Sequence, residues 1–146
     1  MQRGAVAFVV VADSMIDKVG LLTIRDGKVL LCRKKRGTSL LILPGGKRET
    51  GESSLECLAR ELGEELGDVT AVSPELIGVY THAAAGAVEK IVQIELYRAQ
   101  LSGDARAQSE IGELVWFGAQ DDWATLAPSL AEVVFPDLIR RGILTS

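Results

Sequence analysis

The stretch from Leu43 to Val69 constrains the fold most, because it joins a glycine loop to an acidic helix. It reads LPGGKRETGESSLECLARELGEELGDV. Ser53 and Glu56 have the spacing of a capping box, and Gly67 stands where a helix can end on a residue that tolerates positive φ. The pattern therefore predicts a helix over Ser54–Leu66.

The predicted helix has an apolar side and an acidic side. Four leucines at helical spacing form the apolar side, which we expect to pack on a core: Leu55, Leu58, Leu62 and Leu66. Glu61, Glu64 and Glu65 lie one turn apart beside it, where like charges destabilise a helix by about 0.2–0.5 kcal/mol per pair. A bound cation would reverse this repulsion. Carboxylates without His or Cys favour Mg²⁺ or Mn²⁺ over zinc. A solvated helix face is the alternative interpretation.

Two further features near the helix indicate contact with an anionic ligand. Gly45 and Gly46 have no Cβ, so their backbone can approach a ligand closely, and we expect both to bind substrate. A basic run precedes the loop, and within it Arg33 and Lys35 are candidates for contacts with substrate phosphates. A solvated basic loop is the alternative for this run.

Together these residues resemble the signature of the Nudix hydrolases, the MutT-like family. Gly46 is followed after five residues by Glu52 and after seven more by Arg60-Glu61-Leu62-Gly63-Glu64-Glu65-Leu66-Gly67. Asp68 departs from the pattern, which has an aliphatic residue there. The resemblance implies a pyrophosphohydrolase in which water attacks phosphorus with the help of Mg²⁺ or Mn²⁺.

The resemblance also implies roles for individual residues. Glu61, Glu64 and Glu65 would be metal ligands, and the Gly46 carbonyl would complete the site. Arg60 would orient the glutamates as part of the catalytic set, which also includes Glu61 and Glu64.

Glu52 would either support the geometry of the loop and the helix or bind a further metal ion. The signature does not fix the general base, for which Glu110 and Glu113 are late candidates beside the motif glutamates. Glu110 is favoured, because it follows the polar segment Ser102–Ser109, which can fold over the site.

The whole chain agrees with a small cytoplasmic enzyme. Its 146 residues suit a single domain, residues 1–146. With 16 Lys and Arg against 20 Asp and Glu, the net charge of −4 argues against a general nucleic-acid surface. Cys32 and Cys57 stand in apolar contexts that suit reduced, buried thiols. The apolar run Gly4–Ala12 is too short to span a membrane.

The remaining elements complete an α/β fold. Asp26-Gly27 predicts a type I′ turn between strands. The other predicted elements are strands at Gly4–Ala12, Val19–Arg25, Lys28–Lys34, Leu40–Leu43, Glu75–Thr81, Val88–Ala99 and Glu110–Phe117, a helical turn at Asp121–Leu126, and a helix over Pro128–Arg140 that Pro136 breaks or kinks.

Residues 1–18 would add an N-terminal strand, either at a sheet edge or as a homodimer contact. The resemblance supplies the architecture, an α/β/α sandwich with a mixed β-sheet and the Glu-rich helix packed on it.

The expected substrate is a small nucleotide. The leading hypothesis is hydrolysis of a nucleoside triphosphate or a related nucleoside diphosphate derivative. A nucleotide sugar, ADP-ribose or a dinucleoside polyphosphate is the alternative substrate, and a nucleotide-sensing module without turnover is the alternative class. His82, the only histidine, ends a strand and is either a surface residue or a substrate contact.

Overall fold

The computed structural model describes residues 15–83 and 90–146, which form two sheets. The seven strands are β1 (Met15–Leu22), β2 (Ile24–Arg25), β3 (Lys28–Lys34), β4 (Gly45–Lys47), β5 (Val69–Ala83), β6 (Ile91–Gly103) and β7 (Ile111–Gly118). One sheet has the order β4-β1-β6-β5, and the other has the order β2-β3-β7. Because β1 and β6 are parallel and the other pairs are antiparallel, the larger sheet is mixed, as predicted.

The predicted hairpin is present between β2 and β3. Asp26 and Gly27 have φ angles of 54° and 76°, the positive values that a type I′ turn requires. β3 is the central strand of the smaller sheet, and the four residues Val29–Cys32 in its middle are buried. This confirms that an apolar run on both faces indicates an inner strand.

Helix α1 (Ser54–Leu66) has the predicted bounds. The Ser53 side chain accepts from the Glu56 N–H, and the Ser53 N–H donates to the Glu56 side chain, so the capping box is complete. The prediction of the buried face was wrong for Leu55, which is 47% exposed, whereas the predicted burial of Cys57 is confirmed. The Cys57 thiol lies 3.5 Å from the Lys47 carbonyl oxygen, so the buried face turns towards β4 and away from Leu55.

The predicted C-terminal helix is present but irregular. A π-helix runs over Leu130–Val134, and α2 (Phe135–Arg140) continues it. Pro136 comes just after the π-helix, and as a proline it has no N–H to donate to a carbonyl oxygen of the preceding turn. The chain therefore accommodates the proline by changing helix type. A 3₁₀ turn at Trp123–Thr125 precedes this region, where a helical turn was predicted.

The two helical regions pack on opposite faces of the sheets. The core beneath α1 contains Leu58, Leu62, Leu21 and Leu30. The core beneath the C-terminal helices contains Leu22 and Leu31, which directly follow Leu21 and Leu30 in the sequence. It also contains helix residues, among them Leu130, Val134, Phe135 and Leu138. Adjacent strand residues thus point into different cores, as the strand period requires. This confirms the α/β/α sandwich.

Five predicted strands differ from the structure or lie outside it. The strand predicted for Val19–Arg25 is divided between β1 and β2, which lie in different sheets. β5 extends beyond the predicted Glu75–Thr81 at both ends, and β6 extends past Ala99, where the strand predicted from Val88 was expected to end. The strand predicted for Leu40–Leu43 is limited to single bridges, Cys32 to Ile42 and Leu41 to Leu126. The strand predicted for Gly4–Ala12 lies outside the described residues, whereas residues 15–18, predicted as part of an additional strand, begin β1 instead. None of the helices in residues 15–83 and 90–146 is long and apolar enough to cross a bilayer.

Candidate active site

The glycine loop and the acidic face of α1 meet at close range. The Gly45 N–H donates to Glu65 Oε1 at 2.9 Å. A Cβ on Gly46 would lie 2.4 Å from Glu61 Cδ, a distance that real Cβ contacts essentially never show. Gly45 has φ 136°, and a Cβ there would lie 2.1 Å from the Val19 carbonyl oxygen. The backbone therefore requires glycine at position 45, and a side chain at position 46 would displace the Glu61 carboxylate.

Arg60 joins the loop to the acidic side chains of α1. Its guanidinium donates twice to the Glu52 carboxylate, once at 3.0 Å, and donates to the Lys47 carbonyl oxygen at 3.0 Å. Its remaining donor reaches Glu61 at 3.1 Å and Glu64 at 3.2 Å. The hydrogen bonds from Arg60, with one from the Glu49 backbone, lower the pKa of Glu52 to about 2. The arginine thus holds three carboxylates in a fixed arrangement.

Two carboxylates of α1 are partly withdrawn from water. Burial raises the pKa of Glu65 to about 7, although the hydrogen bond from Gly45 opposes the rise. Burial also raises the pKa of Glu61, against the hydrogen bond from Arg60. Desolvation and mutual repulsion therefore disfavour the state in which both Glu61 and Glu65 are ionised, and a bound cation would favour that state.

The donor atoms of this cluster fit a hard divalent cation. Mg²⁺ commonly binds one or two carboxylates and fills its remaining positions with waters and substrate phosphates. Glu61 and Glu65 supply those carboxylates, and Gly46 lies directly beside Glu61. The distance from the Gly46 carbonyl oxygen to the Cys57 sulfur is 3.8 Å. Glu64 is 55% exposed and turns to Arg60. Across residues 15–83 and 90–146, no three His, Cys, Asp or Glu side chains converge as a complete metal site.

A cavity of about 420 Å³ opens beside these carboxylates. Its lining includes polar and charged side chains, namely Lys18, Lys34, Lys47, Glu61, Glu65, Glu110 and Ser129. It also includes apolar side chains, namely Val19, Ile42, Leu43, Pro44, Val92, Ile94, Ala127 and Leu130. The cavity can therefore hold an anionic group and an apolar or aromatic group together.

The structure separates the predicted substrate-binding residues. Gly45 and Gly46 line this cavity, and so does Glu110, the favoured candidate base. Arg33 does not line it, because its guanidinium is bonded to Glu113 and to the Ser39 carbonyl oxygen. Lys35 lines an adjoining cavity of about 490 Å³ that shares Lys34 and Glu110 with the first.

Three lysines of the cavity lie outside the predicted substrate contacts, namely Lys18, Lys34 and Lys47. Lys34 belongs to the basic run, Lys47 ends β4, and Lys18 lies in β1. A lysine at an inward-facing strand position was the available signal for Lys18. His82 does not line the cavity, since its Nε2 lies 2.9 Å from Glu132 Oε1.

Residues 16–135 match the family model of the NUDIX domain. The chain belongs to the Nudix family. An uncharacterized Nudix hydrolase of Bacillus subtilis, YvcI, is 33% identical over 99 residues, which are 66% of this chain and 61% of that protein. An ADP-ribose pyrophosphatase of Methanocaldococcus jannaschii is 29% identical over 110 residues, which are 74% of this chain and 60% of that protein. This Nudix chain therefore spans about 60% of the length of these relatives.

Solved structures share the fold of this Nudix domain. The MutT protein of Methanosarcina mazei superposes with a TM-score of 0.74 at 26% identity, covering 90% of this chain and 98% of that one. The ORF135 protein of E. coli superposes with a TM-score of 0.71 at 28% identity, covering 91% and 95%. These matches show a MutT-like member of the family.

Proposed function

We propose that the chain is a divalent-metal-dependent pyrophosphohydrolase that cleaves a nucleoside diphosphate linked to another group. The observation that carries the proposal is one cavity in which Glu61 and Glu65 face Lys18 and Lys34. Carboxylates that suit Mg²⁺ or Mn²⁺ and lysines that attract phosphate oxygens are the two requirements for binding a metal–diphosphate complex.

Each residue of the site has a distinct part in this reaction. Glu61 and Glu65 would hold the metal, with Glu64 and the Gly46 carbonyl beside them. A bound Mg²⁺ or Mn²⁺ would neutralise charge on the phosphate oxygens and lower the pKa of a bound water. Arg60 fixes the direction of the glutamates, and Glu110 stands in the same cavity as a proton acceptor for the attacking water.

Nucleoside triphosphates are the proposed substrate class. The apolar part of the cavity suits a base and ribose, and the carboxylates suit the scissile diphosphate. The adjoining cavity at Lys34, Lys35 and Arg36 suits a leaving group with further negative charge. A phosphate or pyrophosphate leaving group meets this requirement better than an uncharged sugar.

ADP-ribose is the second candidate, favoured by the relative from Methanocaldococcus jannaschii, which is named an ADP-ribose pyrophosphatase. The second phosphate of ADP-ribose carries ribose and not a further phosphate. ADP-ribose would therefore place no further negative charge in the adjoining cavity at Lys34, Lys35 and Arg36. Nucleotide sugars and dinucleoside polyphosphates are further alternative substrates. A nucleotide-sensing module would bind these compounds without hydrolysing them.

A substrate screen tests these proposals together. Purified protein is incubated with nucleoside triphosphates, ADP-ribose, nucleotide sugars and dinucleoside polyphosphates, with Mg²⁺, Mn²⁺ or chelator, and products are separated by chromatography. We expect nucleoside triphosphates to give the highest kcat/KM and chelator to abolish turnover. Preference for ADP-ribose would replace the substrate class, and binding without any product would favour a sensor.

A further inference from the structure

Lys18 is one of three lysines that line the cavity, with Lys34 and Lys47. Alternate residues of β1 point to opposite sides of the sheet. Val19 belongs to the core beneath α1, and Leu22 belongs to the core beneath the C-terminal helices. Lys18 shares the side of Leu22, and its half-buried side chain lines the cavity.

Lys18 is not committed to an ion pair in the fold. In residues 15–83 and 90–146, the ion pairs near the acidic face join Arg48 and Arg60 to carboxylates, and none includes Lys18. Burial lowers its pKa first, the charges of Lys34 and Lys47 lower it further, and the charges of Glu65 and Glu61 oppose the fall. Lys18 therefore lies among charges of both signs without a salt bridge, and phosphate oxygens would give it a direct counter-charge.

The sheet order places Lys18 between the glycine loop and an apolar residue of the cavity. Lys18 is paired in register with Lys47 of β4 on one side and with Ile94 of β6 on the other. β4 holds Gly46 against the Glu61 carboxylate, while Ile94 is one of the apolar residues that line the cavity. Neighbouring strands lie about 4.8 Å apart, so Lys18 is one strand from each.

We propose that Lys18 binds the phosphoryl group that joins the nucleoside to the rest of the substrate. This inference rests on the proposed function, in which the diphosphate lies at the carboxylates and the base at Ile94. The connecting phosphoryl group then passes Lys18. Because every nucleotide has this group, the contact is independent of the base. A lysine bound to a base carbonyl would instead discriminate between bases.

Three variants test the assignment. Lys18→Met removes the charge and keeps the aliphatic chain, Lys18→Arg keeps the charge, and Lys28→Met removes an exposed charge remote from the cavity. KM and kcat are measured for four nucleoside triphosphates with different bases. Dissociation constants are measured calorimetrically with Mg²⁺ and analogues whose bridging oxygens are replaced by methylene groups. Far-UV circular dichroism checks that each variant is folded.

We expect Lys18→Met to raise KM and the dissociation constant about 10- to 100-fold, equally for all four bases, because one charge-assisted contact is lost. Lys18→Arg should recover most of the affinity, and Lys28→Met should match the wild type. Unchanged dissociation constants, or a loss limited to one base, would overturn the assignment. So would wild-type protein that binds none of the analogues.

The same measurements separate this inference from the hydrolase proposal. If wild-type protein binds the analogues but hydrolyses no nucleotide, the hydrolase proposal fails and the binding series still decides the role of Lys18. If wild-type protein hydrolyses triphosphates and Lys18→Met changes neither KM nor affinity, the hydrolase proposal stands and Lys18 is not a phosphate ligand.

Discussion

Replacing Gly46 by alanine tests whether the position of the Glu61 carboxylate controls the reaction. The added Cβ would lie 2.4 Å from Glu61 Cδ, about 1 Å inside the ordinary contact distance of 3.4 Å. Gly46 does not have a positive φ, so alanine brings no backbone strain. The atoms that must move are the end of a flexible side chain, so the carboxylate shifts and the backbone stays in place.

The size of this shift sets the expected effect. A displacement of about 1 Å in a reacting group can lower the rate about 100-fold, so we expect Gly46→Ala to lower kcat by about that factor. The free energy of unfolding should change by less than about 1 kcal/mol, since no buried apolar group is lost. Steady-state hydrolysis with Mg²⁺ gives kcat, and urea unfolding gives the free energy.

Gly63→Ala is the matched control on the same helix. A Cβ at Gly63 meets no heavy atom within 4 Å, so the substitution should stabilise α1 by up to about 1 kcal/mol and leave kcat unchanged. A wild-type kcat for Gly46→Ala would refute the argument that the carboxylate must stay in place. A variant that loses activity only by unfolding would refute it equally.

Three shorter predictions follow from the same geometry. Glu65→Gln should lower kcat by orders of magnitude and raise the Mn²⁺ concentration needed for half-maximal turnover, and wild-type values would remove Glu65 from the metal site. Glu110→Gln should lower kcat strongly with little change in KM, whereas Glu113→Gln should be mild because Glu113 pairs with Arg33; equal rates would return the base to a motif glutamate. The hydrogen bond that the His82 ring donates to the Glu132 carboxylate raises the pKa of His82, so Glu132→Gln should lower that pKa in an NMR titration, and an unchanged value would contradict the contact.

The acidic helix could be predicted from sequence because its determinants are local. The capping box, the leucine spacing and Gly67 all lie within one stretch, and they give both ends of α1 correctly. The hairpin at Asp26-Gly27 is local in the same sense. The neighbours of the helix are not encoded locally, which is why the leucine spacing predicts a buried Leu55 that the structure leaves 47% exposed.

The cationic side of the cavity depends on contacts distant in sequence. The pairing of β3 with β7 shifts register between Arg33 and Lys34, so simple alternation does not tell which basic side chain enters the cavity. Lys34 enters it, while Arg33 is held by Glu113. Lys18 acquires its position from the parallel pairing of β1 with β6. The hydrophobic periodicity of a strand does not indicate which other strand it will pair with.

A polar cluster fixes the start of α1 to the sheet on the side opposite the cavity. The Arg48 guanidinium donates to Asp17 at 3.1 Å, to Glu95 at 2.7 Å and to the Ser54 hydroxyl at 2.7 Å. The Ser54 hydroxyl donates to the other Glu95 oxygen at 2.6 Å. Strands β1 and β6 and the first residue of α1 are therefore joined through one arginine.

Breaking this cluster should cost stability and activity together. The side chains of Arg48 and Glu95 are 20% and 22% exposed, so Glu95→Gln should cost about 1–3 kcal/mol, between the values for exposed and fully buried pairs. Because α1 carries Glu61 and Glu65, we also expect kcat to fall in the folded variant. Asp104→Asn is the control, since its pair with Arg106 spans 3.8 Å and both side chains are more than 70% exposed; it should change stability by less than about 0.5 kcal/mol. If urea unfolding gave the same free energy for both variants, Glu95 would contribute no more stability than an exposed charge. The argument that Arg48 fixes α1 to the sheet would then be wrong.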